Sequence, residues 1–218
     1  MKNKKTLYHF VLDSSGSMND CVEATIKGFN NQLETIKSLQ KELPKQEFRI
    51  SLTLFNNHIN HVLSNVSVSN FEPLSRSKYV PCGSTSLLDA IGQSINQIRI
   101  NCETEIVSNK MNVVMIILTD GMENSSCEFN FNQIAKTITE LETSGNWVFT
   151  FLGADIDAFQ MSEMLNIRSE NVVSFDKKNM DAMMGDISKG ICYYSYSNDR
   201  FKKNFFDFIE EDEDQKGK

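Results

Sequence analysis

Between Met111 and Gly121 the chain reads MNVVMIILTDG: β-branched and long aliphatic residues, broken by one amide, closing on Asp-Gly. A run like this has no polar face. It suits a strand buried on both sides, as in a parallel sheet covered by helices above and below. NWVFTFLG (146–153) has the same character, and LYHFVL (7–12) is a third β-rich run. FRISLTLF (48–55) alternates with period two; Asn56-Asn57 offers a turn, and HINHVL (58–63) can return beside it as an antiparallel partner.

Between these runs the apolar spacing changes to that of helices. From Asn19 to Lys41 the residues Val22, Ile26, Phe29, Leu33, Ile36 and Leu39 share one helical face, and from Ser86 so do Leu87, Ile91, Ile95 and Ile98. SLLD at the head of the second segment fits a capping box with Ser86 as the cap and Asp89 at the third position. Further helices are predicted at about 129–143, 156–165 and 179–195, with a strand at NVVSF (171–175). Residues 64–85 are rich in Ser and Asn and carry Pro73 and Pro81, the marks of a long irregular connection that is functional or mobile. The alternation specifies an α/β fold: a doubly wound, mostly parallel central sheet with one antiparallel edge strand and helices on both faces. No internal repeat interrupts it.

At 218 residues and 40% hydrophobic content one core is the natural outcome, and we assign residues 1–198 to a single domain. Residues 199–218 differ. Phe201, Phe205, Phe208 and Ile209 share a helical face that can dock on the domain or on a partner, and an acidic run follows, expected to be disordered beyond about Glu210. Residues 207–218 carry −4 of the −7 net charge, so the body is only mildly acidic and lacks the basic excess that nucleic-acid binding requires. Five cysteines, odd in number and without a CxxC pair, form neither a disulfide framework nor a zinc pattern. The amino terminus fails as a signal peptide, with His9 and Asp13 interrupting its apolar run, and no run is long enough to span a bilayer. A soluble, cytoplasmic protein is expected.

Functional loops in such a sheet gather at the carboxyl ends of the strands. Three stretches reach that edge with oxygen-bearing side chains: DSSGSM (13–18), GSTS (83–86) and LTDG (118–121). DSSGSM alone admits a capped helix entry, a phosphate cradle, a nucleophile or a metal site. A cradle would show GxxxxGK[ST], which is absent, and Ser15 does not sit in G-x-S-x-G. His9 falls in a strand, and His58 and His61, three apart on another, face opposite ways. Asp13, Ser15 and Ser17, spaced by two, can point to one side of an extended turn. Hydroxyls mixed with one or two carboxylates suit a hard divalent cation and not zinc.

In that order and on those elements, DSSGS, GST and LTDG resemble the metal-ion-dependent adhesion site of von Willebrand factor type A domains, over roughly residues 5–195. The resemblance implies that Ser15, Ser17 and Thr85 give hydroxyl oxygens to the metal, and that Asp13 and Asp120 bind it directly or through water. It implies Mg²⁺, with Mn²⁺ or Ca²⁺ as alternatives, and an open coordination position that takes a Glu or Asp carboxylate from a protein partner. It implies a binding module and not an enzyme; the charge balance and the lack of a spanning apolar run argue against nucleic acid and membrane as partners. GSTSLLDAIG and FTFLGADIDAF are most similar to intracellular bacterial and phage-type members, whose family-level role is assembly within a multiprotein system. Two other readings stay open: a metal-assisted hydrolase on the same edge, and a scaffold whose metal is purely structural. Asp89 can cap its helix or stand behind the metal. Asp155 and Asp157 are read as early-turn residues favoured by the helix dipole, and Cys82 and Cys127 as thiols that flank the site in sequence.

Overall fold

The computed structural model describes residues 4–197 and 204–206. Its sheet has six strands in the order β3-β2-β1-β4-β5-β6: β1 (Lys4–Asp13), β2 (Gln46–Phe55), β3 (Ile59–Ser67), β4 (Met111–Thr119), β5 (Trp147–Ala154) and β6 (Val172–Phe175). All neighbours run parallel except β2 and β3, the predicted hairpin, which stands at one edge. The helices are α1 (Val22–Glu42), α2 (Leu87–Val107), α3 (Phe131–Thr143), α4 (Ala158–Met164) and α5 (Met180–Tyr196).

Strand alternation sorts the core into two layers. Tyr8, Phe10, Leu12, Val114, Ile116 and Leu118 face α1 and α5. Leu7, Val11, Val113, Met115 and Ile117 face α2, α3 and α4. Every residue of β4 is buried, as a strand covered on both faces requires. The chain leaves β1 through α1 toward β2 on one side, then crosses by α2 to β4 on the other. The carboxyl ends of β1 and β4 therefore lie side by side where the winding reverses, the place such sheets reserve for ligands.

Several local expectations are corrected. The turn after β1 is not extended: Gly16–Asp20 form one 3-10 turn before α1. Ser86 does stand at the N-cap of α2, but without a side-chain capping bond; its hydroxyl meets Ser125 Oγ at 2.8 Å. Asp89 is committed elsewhere, accepting from Cys127 N (2.8 Å), Glu128 N (3.0 Å) and Phe129 N (2.9 Å), so it fastens the loop that leads into α3. The capping box instead belongs to α3, where Asn130 and Gln133 bond reciprocally. His58 precedes β3 and lies in the turn, its N–H donating to Asn56 Oδ1 at 2.8 Å.

The connection after β3 is anchored. Phe71, Leu74 and Tyr79 are buried, Asn30 of α1 holds both the N–H and the carbonyl of Leu74, and the Tyr79 hydroxyl donates to the Asp13 carbonyl at 2.5 Å. From the tail, Phe205 and Phe206 pack into the α1/α5 layer, and Phe205 N–H donates to Asn171 Oδ1 at 2.6 Å. Two adjacent buried phenylalanines do not fit the predicted helical face, whose Phe201, Phe208 and Ile209, like the acidic run, lie outside the described residues.

Candidate metal centre

Asp13 ends β1 with its side chain buried, and both carboxylate oxygens are engaged: Ser15 N–H donates to Oδ1 at 2.6 Å and Thr119 Oγ1 to Oδ2 at 2.5 Å. The Ser15 contact is a short Asx-type bond that bends the chain out of the sheet. Ser15 and Ser17 hydroxyls stand 3.0 Å apart, and Ser17 Oγ donates to Asp120 Oδ1 at 2.6 Å. The 3-10 turn thus converges the two serines that an extended turn would also have aligned.

Thr85 arrives on the loop before α2, and backbone bonds fix its height. Gly16 N–H donates to the Gly83 carbonyl (3.0 Å), Cys82 N–H to the Ser14 carbonyl (2.9 Å) and Ser86 N–H to the Asn56 carbonyl (2.9 Å). Gly83 has φ +74°, and a Cβ there would stand 2.1 Å from Asn57 Oδ1, so glycine takes this turn with the least strain. Asn124 clamps Thr85 from the other side, accepting from Thr85 N (2.9 Å) and donating its own N–H to the Thr85 carbonyl (3.1 Å). A methyl group on Gly121 would stand 2.9 Å from Thr85 Oγ1 and 3.8 Å from Ser17 Oγ, so these hydroxyls flank one point beside Asp120. The structure accordingly brings Asp13, Ser15, Ser17, Thr85 and Asp120 to one edge. Asp13, Ser15, Thr85 and Asp120 are buried; Ser17 is exposed and marks the open side.

Burial raises the Asp13 carboxyl to about 6, opposed by the bonds from Thr119 and Ser15 and reinforced by the charge of Asp120. Asp120 Oδ2 is buried without a hydrogen bond of good geometry, and Lys177 Nζ stands 2.6 Å from it as an ion pair. Lys177 also donates to the Ser17 carbonyl at 3.0 Å and lies 3.3 Å from Asp20 Oδ1. Burial pulls its ammonium down, but the bond and charge of Asp120 outweigh this and raise it overall.

The donor chemistry fits a hard cation. Adjacent oxygens of an octahedron with metal–oxygen distances of ~2.1 Å are separated by about 3 Å, and the Ser15–Ser17 and Ser17–Asp120 spacings are 3.0 and 2.6 Å. Among the described residues no three His, Cys, Asp or Glu side chains converge as a metal cluster, so the set is of hydroxyls and two carboxylates. Asp157 caps α4 through Gln160 N (3.0 Å), as a residue favoured at a helix start should. Asp155, at φ +56°, is no helix residue: its Oδ1 accepts from Lys177 N (3.1 Å). Cys82 and Cys127 are exposed, and Cys82 touches the site only through its backbone N–H.

Sequence reasoning missed Thr119, Asn124 and Lys177. Thr119 was readable, as a hydroxyl closing an otherwise apolar buried strand; Lys177, in an ordinary surface Lys-Lys pair, gave no signal.

The family model for the von Willebrand factor type A domain matches residues 9–189. No curated protein sequence matches the chain. Among solved structures, the vWF domain of the type V pilus tip protein Mfa5 from Porphyromonas gingivalis superposes with a TM-score of 0.63 at 10% identity, covering 90% of this chain and 98% of that one. Manganese-loaded TRAP protein of Plasmodium vivax gives 0.57 at 16% identity, with 84% and 73% covered. Proximal thread matrix protein 1 of the mussel byssus, with a zinc-occupied MIDAS motif, gives 0.57 at 16% identity over 87% of this chain; the match spans only 46% of the mussel protein.

Proposed function

The chain belongs to the von Willebrand factor type A domain family, and from that premise we propose that it is a cation-dependent protein-binding module. Ser15, Ser17 and Thr85 give hydroxyl oxygens to a divalent ion, and Asp13 and Asp120 bind it directly or through water. The ion supplies one thing: a Lewis-acidic position open toward solvent, where a carboxylate from a partner protein completes the coordination. The observation that carries this reading is the approach of Ser15 Oγ, Ser17 Oγ and Asp120 Oδ1 at 3.0 and 2.6 Å, from β1 and β4, at the reversal of the sheet.

Mg²⁺ is the proposed ion, since hydroxyl and carboxylate oxygens are the donors a hard cation takes; Mn²⁺ accepts the same donors. The zinc-occupied MIDAS motif of the mussel relative, with the manganese load of the Plasmodium one, supports a divalent ion in this chain. Binding is favoured over hydrolysis because the rings of His9 and His61 bond Thr53, and His58 lies in the hairpin turn between β2 and β3. The texture of GSTSLLDAIG and FTFLGADIDAF supports a cytoplasmic place within a bacterial or phage multiprotein system. Among the described residues no helix is long and apolar enough to cross a membrane.

Affinity capture from lysate tests the metal bridge. Wild type in Mg²⁺ should retain a partner that Asp13→Ala and Thr85→Ala lose, and EDTA should mimic both substitutions while far-UV circular dichroism stays native. A partner retained by both variants and in EDTA refutes the bridge.

A further inference from the structure

Lys177 is the feature that the site's chemistry does not require. It follows β6 in a short 3-10 turn (Lys177–Asn179), and its backbone is held in place: Lys177 N–H donates to Asp155 Oδ1 at 3.1 Å, and Asp155 N–H to the Phe175 carbonyl at 2.8 Å. From there the side chain reaches back across the sheet edge. Its ammonium meets Asp120 Oδ2 at 2.6 Å, the Ser17 carbonyl at 3.0 Å and Asp20 Oδ1 and Oδ2 at 3.3 and 3.4 Å. The Asp120 carboxylate is fully buried, and the Lys177 side chain is only 15% exposed. These oxygens belong to two of the three segments that supply the proposed metal ligands, the turn after β1 and the loop after β4.

We propose that Lys177 is an internal competitor of the divalent ion: its ammonium and the metal are alternatives for Asp120, so the chain holds its ion more weakly than the ligand set alone would allow. The proposal rests on the metal reading above. Lys177 holds Oδ2 and the metal edge uses Oδ1 of the same buried carboxylate, so an ammonium and an ion on it stand close together, and the low dielectric that makes the lysine pair worth forming also magnifies their repulsion. Buried carboxylates without a counter-charge are costly, and a tethered ammonium neutralises Asp120 within the chain itself. Linkage then runs both ways: a lysine that weakens the ion is displaced by it to the same extent.

The probe is Mn²⁺ alone, titrated calorimetrically into the chelator-stripped full chain. Lys177→Met keeps the aliphatic stem and removes the charge. It should bind Mn²⁺ at least tenfold more tightly than wild type. Equal or weaker binding by a folded Lys177→Met, with wild type still binding, overturns the competitor and leaves the metal site standing. No Mn²⁺ bound by either protein overturns both readings.

Should Lys177→Met fail to fold, wild type alone decides. Under amine acetylation read by tandem mass spectrometry, Lys177 should react several-fold faster with Mn²⁺ than in EDTA, while Lys178 beside it stays unchanged and Asp13→Ala shows no response to Mn²⁺. A Lys177 rate insensitive to Mn²⁺ in a chain that binds the ion overturns the proposal.

Discussion

Beneath the metal edge, His9 is 2% exposed, with Nε2 2.9 Å from Thr53 Oγ1 and Nδ1 buried without a partner. Thr53 Oγ1 is also met by His61 Nδ1 at 2.9 Å and by Ser94 Oγ at 3.1 Å. Burial, with the charge of His61, lowers His9 from 6.5 to about 3. Below pH 6.5 the unfolded chain takes up a proton that the folded chain refuses, so this residue makes stability fall as pH falls, by about 1.4 kcal/mol per unit. Asp13 has the opposite sign: between 3.8 and about 6 the folded chain keeps a proton the unfolded chain gives up. The two offset each other in wild type, so a difference measurement is needed. The stability gap between wild type and His9→Gln, from urea curves, should be about 2 kcal/mol smaller at pH 5 than at pH 7.5; a gap constant with pH would show that His9 takes up no proton on unfolding. At this scale the sequence made legible which oxygen-bearing residues would meet at one sheet edge, Asp13, Ser15, Ser17, Thr85 and Asp120. Lys177 and the Thr53 network were not, because their contacts depend on β6 and β3 arriving in a particular register, and local sequence carries no record of it.

Among the elements, α5 depends on Phe205, which lies beyond its own C-terminal end. Gly190 faces Phe205 so closely that a Cβ there would stand 2.3 Å from the Phe205 ring, and that ring is fully buried against the α1/α5 layer. Phe205→Ala should therefore empty a ring-sized space and lower stability by about 3 kcal/mol in chemical denaturation, while an unchanged midpoint would mean that the ring is not part of the folded core. The sequence marked Phe205 by an apolar periodicity and assigned it to a helix. That periodicity did not anticipate that Phe205 and Phe206 are buried side by side, with residues 204–206 outside any helix. Most predicted strands and helices stand where apolar spacing put them, as the burial of Val22, Ile26, Phe29, Leu33, Ile36 and Leu39 on α1 shows, but β3 runs on to Ser67 and a 3-10 turn (Val68–Asn70) follows it, inside the stretch read as an irregular connection. Where cap chemistry competed with loop chemistry, local pattern misled: SLLD reads as a capping box, yet Asp89 finds three backbone N–H groups of a distant loop. NFNQ, which does form the box through Asn130 and Gln133, was equally readable.

Over the whole molecule, the sheet order β3-β2-β1-β4-β5-β6 puts the proposed ion between segments that are far apart in sequence: Ser15 and Ser17 after β1, Thr85 before α2, and Asp120 after β4. An ion held by all of them exists only when the topology is complete, so it binds the folded chain and has no comparable site in the unfolded one. Its binding free energy is then added to folding. At a free ion concentration 100 times the dissociation constant the gain is about 2.7 kcal/mol. For a chain of this size each kcal/mol moves the melting midpoint by roughly 2–4 °C, so saturating Mg²⁺ or Mn²⁺ should raise Tm by roughly 5–10 °C over EDTA. Asp13→Ala should abolish the shift by removing a carboxylate from the site. A metal that were only structural would give the same shift in wild type, so the partner must be followed beside the melt. Under the bridging reading, EDTA releases the partner at temperatures far below the chelated midpoint, while the domain is still folded. If the partner instead leaves only as the chelated chain melts, the ion is a brace for the fold and the bridge is refuted.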